Sequence, residues 1–317
     1  GSSTVTLTNG TSDGDIALGA ITDDATGGTA ADLTITSSGN VTLSTVALND
    51  TTDGDLIVTV DSDDNDAEAE TLTLGGAITD VALITLSGGY SSDSDDIIDI
   101  GANLTTGGAI TIADAESVKI DASATRTITS GGAITVSSNI DGILLDDGSS
   151  TVTLSSGNDG TIGLANIADD ATGGTASSLS ISSEGGLSLG TISLNDTTNG
   201  ALSLTVDSDN ADAESETLTV TGISNVGALT LSGGYSSDSD DIIDIGADLT
   251  TTGNIVIQNA DSVKIDASAA RTITSGGAIT VTSNIDGILL DNGSSTVTLT
   301  NGTSDGDIAL GAITDDA

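Results

Sequence analysis

The chain has 317 residues, 48 of them acidic against 4 basic, for a formal net charge of −44, and it contains no Cys, His, Pro, Met, Phe or Trp. That balance argues against anionic partners: nucleic acid, whose recognition needs basic patches, and anionic membrane surfaces. Without Cys or His there is no thiolate or imidazole for zinc, and no Ser-His-Asp or Cys-His nucleophile system.

High charge with few aromatics is the composition of disordered chains. Here, however, 36% of residues are apolar, mostly Val, Ile, Leu and Ala alternating with Thr and Ser. In chain order the alternating runs begin TVTLT at Thr4, DIALGAI at Asp15, DLTITSS at Asp32, NVTLSTVAL at Asn40 and DLIVTV at Asp55. ETLTLGGAI at Glu70, VALITLSGG at Val81, DIIDIGANL at Asp96, GAITIADAESVKIDAS at Gly108 and RTITSGGAITVSSNIDGILL at Arg126 follow. A period of two in β-branched residues predicts strands, and Asn9-Gly10 and Asp53-Gly54 predict turns between them. No stretch has helical period with caps. The longest apolar runs are only a few residues, as in Val81-Ala82-Leu83-Ile84, and none is long enough to cross a bilayer as a helix.

The order then repeats. Residues 1–147 and 148–292 are two copies of one unit, and Leu86–Ala102 recurs letter for letter as Leu231–Ala247. A third copy starts at Gly293, and 293–317 is identical to 1–25. The opening at Gly1, without initiator Met or signal pattern, reads as a mature product or an excerpt. The restart at Gly293 reads as a window on a longer array, or as a subunit built to continue into the next.

We expect an all-β fold, a parallel β-solenoid (β-helix) of two tandem units and the start of a third. A tandem of β-sandwich domains is the alternative, but such cores normally include bulky aromatics. Coils stacked at about 4.8 Å instead place similar small aliphatics in ladders. The absence of Pro fits a chain in which every coil offers N–H groups to the next. At roughly 20 to 25 residues per coil, each unit would make about six or seven coils.

Runs such as SSGNVTLSTVAL, TSGGAITVSS and TLTLGGAITDVALITLSGG resemble the repeats of large secreted bacterial surface proteins, including filamentous-haemagglutinin-type adhesins and surface-layer proteins. IADAESVKIDAS is similar to the repeats of calcium-dependent solenoid surface proteins. The resemblance implies an extracellular or cell-surface location and a structural or adhesive role.

Carboxylate clusters are the strongest local signal. One holds Asp61, Asp63, Asp64, Asp66, Glu68 and Glu70, with Asp207, Asp209, Asp212, Glu214 and Glu216 as its second copy. The other holds Asp93, Asp95, Asp96 and Asp99, with Asp238, Asp240, Asp241 and Asp244 as its second copy. Dense hard oxygen donors are what Ca²⁺ coordinates, so Ca²⁺ is the expected cofactor. Asp61-x-Asp63-x-Asn65 opens like an EF-hand loop, but Asp66 stands where Gly is required and Leu72 where the bidentate Glu belongs. Gly88-Gly89-Tyr90-Ser91-Ser92-Asp93 resembles the GGxGxD of calcium β-rolls, with Ser91 and Asp95 departing from the pattern. The plainer reading of both clusters is acidic loops that keep a fibre soluble.

Lys119, Arg126, Lys264 and Arg271 are the only cations, and Asp121 lies on the same strand face as Lys119. They form local ion pairs or touch the acidic face of a neighbouring molecule. Tyr90 and Tyr235, the only aromatics, sit after Gly-Gly turns as exposed tips or adhesive contacts. Thr pairs such as Thr4-Val5-Thr6 admit an ice-binding reading, against which stand the Asp-rich loops that interrupt them and the general preference of half-buried strands for Thr. The expected function is therefore a structural segment of a surface filament or giant adhesin. It would assemble with itself head to tail, since an uncapped solenoid leaves an open strand edge, and laterally through contacts between cations and acidic faces. A module binding a glycan or host surface is the alternative, and a polysaccharide-active β-helix enzyme, using paired carboxylates, the more distant one.

Overall fold

The structure is a computed structural model and describes residues 3–10, 14–23, 27–63, 69–89, 95–137, 140, 142–146, 148–170, 174–209, 215–235, 240–282, 287–302 and 306–315. Among these, every regular element is a strand. The strands fall into three sheets, each taking every third strand in chain order, to make a parallel β-solenoid of about 11 turns. All pairings are parallel, and this excludes the sandwich alternative, whose sheets are antiparallel.

Two compact units are present, Gly1–Asp147 with Ser155–Ala165, and Gly148–Leu154 with Asn166–Ala317. In the first unit the first sheet contains Val5–Asn9, Leu33–Ser37, Leu56–Thr59, Ile84–Ser87, Ile110–Ala113, Ile134–Val136 and Ile162–Leu164. The second sheet contains Ile16–Leu18, Val41–Leu43, Thr71–Leu74, Ile97–Ile100, Ser117–Asp121 and Gly142–Asp146. The third includes Ile21–Thr22, Val46–Ala47, Ile78–Val81, Leu104–Thr106 and Arg126–Ser130.

Register explains the composition. In the first sheet Leu33, Leu56, Ile84, Ile110, Ile134 and Ile162 stand one above another, all buried. In the second, Val41, Leu72, Ile98, Val118 and Ile143 do the same. A side chain inside a coil has a like side chain above and below, so aliphatics of one size fill the space without aromatics. Each contributes about 1.5–3 kcal/mol by burial.

Coil length is less regular than the ladders. The second-sheet partners Ile98 and Val118 are 20 residues apart, whereas the third-sheet partners Val46 and Ile78 are 32 apart. The first repeat supplies 17 described strands at three per coil, fewer than the six or seven coils expected, because corner loops lengthen several coils beyond 25 residues.

Corners share a hydroxyl device. Ser130, buried at the end of its strand, donates to the Gly108 carbonyl of the preceding coil at 2.5 Å and accepts from Gly132 N–H at 3.2 Å. Ser275 makes the corresponding bonds to Gly253 and Gly277 at 2.8 and 3.1 Å. Thr106 bonds Ala82 O and Gly108 N–H in the same way. One short side chain thus satisfies backbone groups that the turn has removed from the sheet.

Candidate functional site

The acidic clusters lie at a corner. In the first unit the chain leaves the first sheet after Thr59 and enters the second at Thr71; one coil later it leaves after Ser87 and re-enters at Ile97. Asp61 opens the first loop with φ +40°, and Ser62 N–H bonds Ser37 O at 2.9 Å. Glu70 closes that loop, and its N–H bonds Asp96 Oδ1 at 3.1 Å. Asp96 in turn receives the N–H groups of Glu116 and Ser117 on its carbonyl.

Three of these carboxylate residues turn inward. Asp61, Glu70 and Asp96 are 1%, 3% and 1% exposed, and the second unit repeats the arrangement with Asp207, Glu216 and Asp241 at 0%, 7% and 1%. There Glu216 N–H bonds Asp241 Oδ1 at 3.3 Å, and Asp207 has φ +43°. The reason is strand period: Glu70 precedes buried Leu72 by two residues and Asp96 precedes buried Ile98 by two, so both share the inward face. Since Thr71 pairs with Ile97, Glu70 and Asp96 occupy adjacent rungs of one column.

Asp63, Asp95 and Asp240 are half-buried and Asp209 is exposed. Asp64, Asp66, Asp93, Asp212 and Asp238 lie outside the described residues, as do Glu68, Glu214 and Tyr90. Among the described residues no group of three or more acidic side chains converges in an arrangement that could hold a metal ion. The described part of each corner therefore supplies hard donors without completing a Ca²⁺ cage.

The outward face of the second sheet carries Lys119, whereas Arg126 opens a strand of the third sheet. Lys119 stands between Asp99 and Leu144 in the register, and its Nζ lies 3.9 Å from Asp146. Asp121 pairs with Arg126 rather than with Lys119, as Asp266 does with Arg271 in the second unit. Hydrogen bonds from Ser268, then the Arg271 guanidinium, hold the Asp266 carboxyl down to about 2. Burial pushes Asp244 up, against Lys264 and with help from Asp291 and Asp266, and burial with Asp32 nearby pushes Asp55 up.

These shifts have opposite signs in stability. The Asp266 contribution is full above the ordinary carboxylate value of 3.8 and is lost as pH falls from there toward about 2. Asp55 and Asp244 favour the fold as they become protonated, so their contribution grows as pH falls through their raised values. Arg271→Gln is expected to raise the Asp266 midpoint toward 3.8, in a carboxyl titration followed by NMR; an unchanged midpoint would show that Ser268 alone sets it.

Sequence reasoning missed two further carboxylates. Asp23 and Asp169 each close a loop by accepting a backbone N–H eight residues on, from Ala31 at 2.9 Å and Ser177 at 2.7 Å. Their appearance at equivalent places in the two copies was the available signal. Tyr235 is 47% exposed, as its place after Gly233-Gly234 suggests. Among the described residues no helix is long and apolar enough to cross a membrane. Comparison with family models, curated proteins and solved structures gives no match to this chain.

Proposed function

We propose that the chain is a structural segment of an extracellular surface filament or giant adhesin, a stiff acidic β-solenoid that extends coil upon coil. One observation carries this reading. The sequence VTLTN pairs with the following coil where it is Val5–Asn9 and with the preceding coil where it is Val297–Asn301. The same residues are thus competent for pairing on both sides, and the stack accepts a further coil of this sequence from the same polypeptide or from another copy. Electron microscopy of the producing cells with an antibody to the chain tests it: labelled surface fibres support the reading, and label confined to the cell interior overturns it.

Calcium belongs to this proposal as the counterion of the acidic corners. Two inward carboxylates on adjacent rungs about 4.8 Å apart repel, and a divalent ion shared with the loop carboxylates relieves that repulsion. Asp96→Asn keeps an acceptor for Glu70 N–H while removing one charge. If Ca²⁺ neutralises the corner, the variant melts below the parent in millimolar Ca²⁺ and at or above it in EDTA. A parent melting temperature indifferent to both removes calcium from the reading.

A role in binding a glycan or host surface has one observation in its favour, the exposed Tyr235. Glycan-array binding lost on Tyr235→Ala, with filament formation intact, would support it.

A further inference from the structure

Each unit has at least one sheet face whose outward strand positions, among the described residues, carry no charged side chain. In the first unit it is the first sheet, where one column runs Thr6, Thr34, Ile57, Thr85, Thr111 and Thr135 in unbroken register. A second column beside it runs Thr8, Thr36, Thr59 and Ser87. The second unit has the same kind of face on equivalent strands, with a column of Ser180, Ser203, Thr230, Val256 and Thr280. In a protein of net charge −44 this absence is local and repeated. The nearest acidic residues in the first unit, Asp32, Asp55 and Asp114, sit one position before or after their strands, on the rim of the face. The Asp-rich loops that interrupt the Thr runs in the sequence leave at the corner between the first and second sheets.

Three properties of this face point to one ligand. Its groups repeat at about 4.8 Å along a column and at roughly 6.6–6.8 Å between columns, the rung spacing and twice the strand rise. The β-branched Thr side chains are restricted at χ1, so methyl and hydroxyl groups repeat with the backbone. Within the described residues, the hydroxyls of Thr34, Thr85, Thr111 and Thr135 make no hydrogen bond to another residue, which leaves them to water. A face of ice is an uncharged two-dimensional lattice of oxygen atoms with repeats in this range, and growing ice rejects ions. An ordered, charge-free hydroxyl and methyl array is its complement. A dry contact with a second copy would instead strip water from every hydroxyl in the array.

We propose that the charge-free Thr face of the first unit binds ice, with the Ser and Thr face of the second unit as a weaker copy of it. This goes beyond the structural role above and stands or falls separately from it. The test is ice growth in the presence of the purified 317-residue protein, read as crystal shape and as a gap between melting and freezing temperatures. Faceted crystals and a measurable gap are expected. Thr85→Lys with Thr111→Lys, combined with Thr230→Lys and Thr280→Lys, is expected to abolish both while strand content and melting temperature hold. Thr73→Lys, on the outward face of the second sheet, is expected to leave them unchanged. Should the quadruple variant unfold, Thr111→Lys alone is the comparison, with a reduced gap expected. Rounded crystals and no gap with the parent protein overturn the proposal, as does a full gap in a folded Lys variant. Association of copies in light scattering that the Lys variants abolish, without any effect on ice, assigns the face to self-contact and overturns it as well.

Discussion

Alanine at Gly89 is expected to destabilise the first unit by about 2–5 kcal/mol, the sum of a left-handed backbone penalty and a steric one. Gly89 has φ +102°, a region L side chains rarely adopt, and a Cβ there would collide with the carbonyl oxygens of Val60 and Asp61. Those oxygens belong to the preceding coil's corner, so relief would require moving the buried Asp61 as well. Gly234 repeats the arrangement against Val206 and Asp207 with φ +93°, and Gly234→Ala should do to the second unit what Gly89→Ala does to the first. Gly163→Ala is the control. A Cβ at Gly163 meets nothing within 4 Å, and alanine there is expected to be neutral or to stabilise by about 0.4–1 kcal/mol through the unfolded state. Urea denaturation of the three variants decides the matter; equal midpoints for Gly89→Ala and Gly163→Ala would refute the corner geometry.

Ile98→Ala is expected to cost about 2–5 kcal/mol, the range for an aliphatic truncated in a packed core. Ile98 is 0% exposed and lies between Leu72 and Val118 in its ladder, with no neighbour free to collapse into the space. Its chain neighbour Ile97 faces outward, half-buried, between Thr71 and Ser117. Ile97→Ala should cost about 1 kcal/mol or less, in line with substitutions away from the core. Because each coil contacts chiefly the coils beside it, hydrogen exchange in Ile98→Ala should accelerate first in Thr71–Leu74 and Ser117–Asp121. Uniform acceleration across the unit would mean that it unfolds as a single block.

Much of this was legible in the sequence because the fold is written in period two. The runs at Leu33, Leu56 and Ile84 alternate so strictly that each inward residue can be named, and stacking in register follows from their likeness. The hydrogen bonds by which Ser130 and Thr106 close their Gly-Gly corners were not legible there. What failed was the treatment of acids as a class. Glu70 and Asp96 belong to the cluster by neighbourhood but to the core by alternation, and reading only the first property places them in solvent. Arg126 was likewise hard to assign, because it reaches Asp121 across a turn that strand pairing does not describe. Coil length could not be read from composition, since the corners accept loops of quite different size.

That tolerance has a use. Between Val46 and Ile78 the chain inserts twelve residues more than between Ile98 and Val118, yet in both places a rung meets its partner with aliphatic over aliphatic. Perimeter and pitch are therefore independent quantities in this architecture, because closing a longer loop adds little entropy cost. Insertions at corners of this kind would lengthen the periphery without shifting any rung above or below. Descent with modification could exploit the same freedom, elaborating the periphery while the axis stays constant.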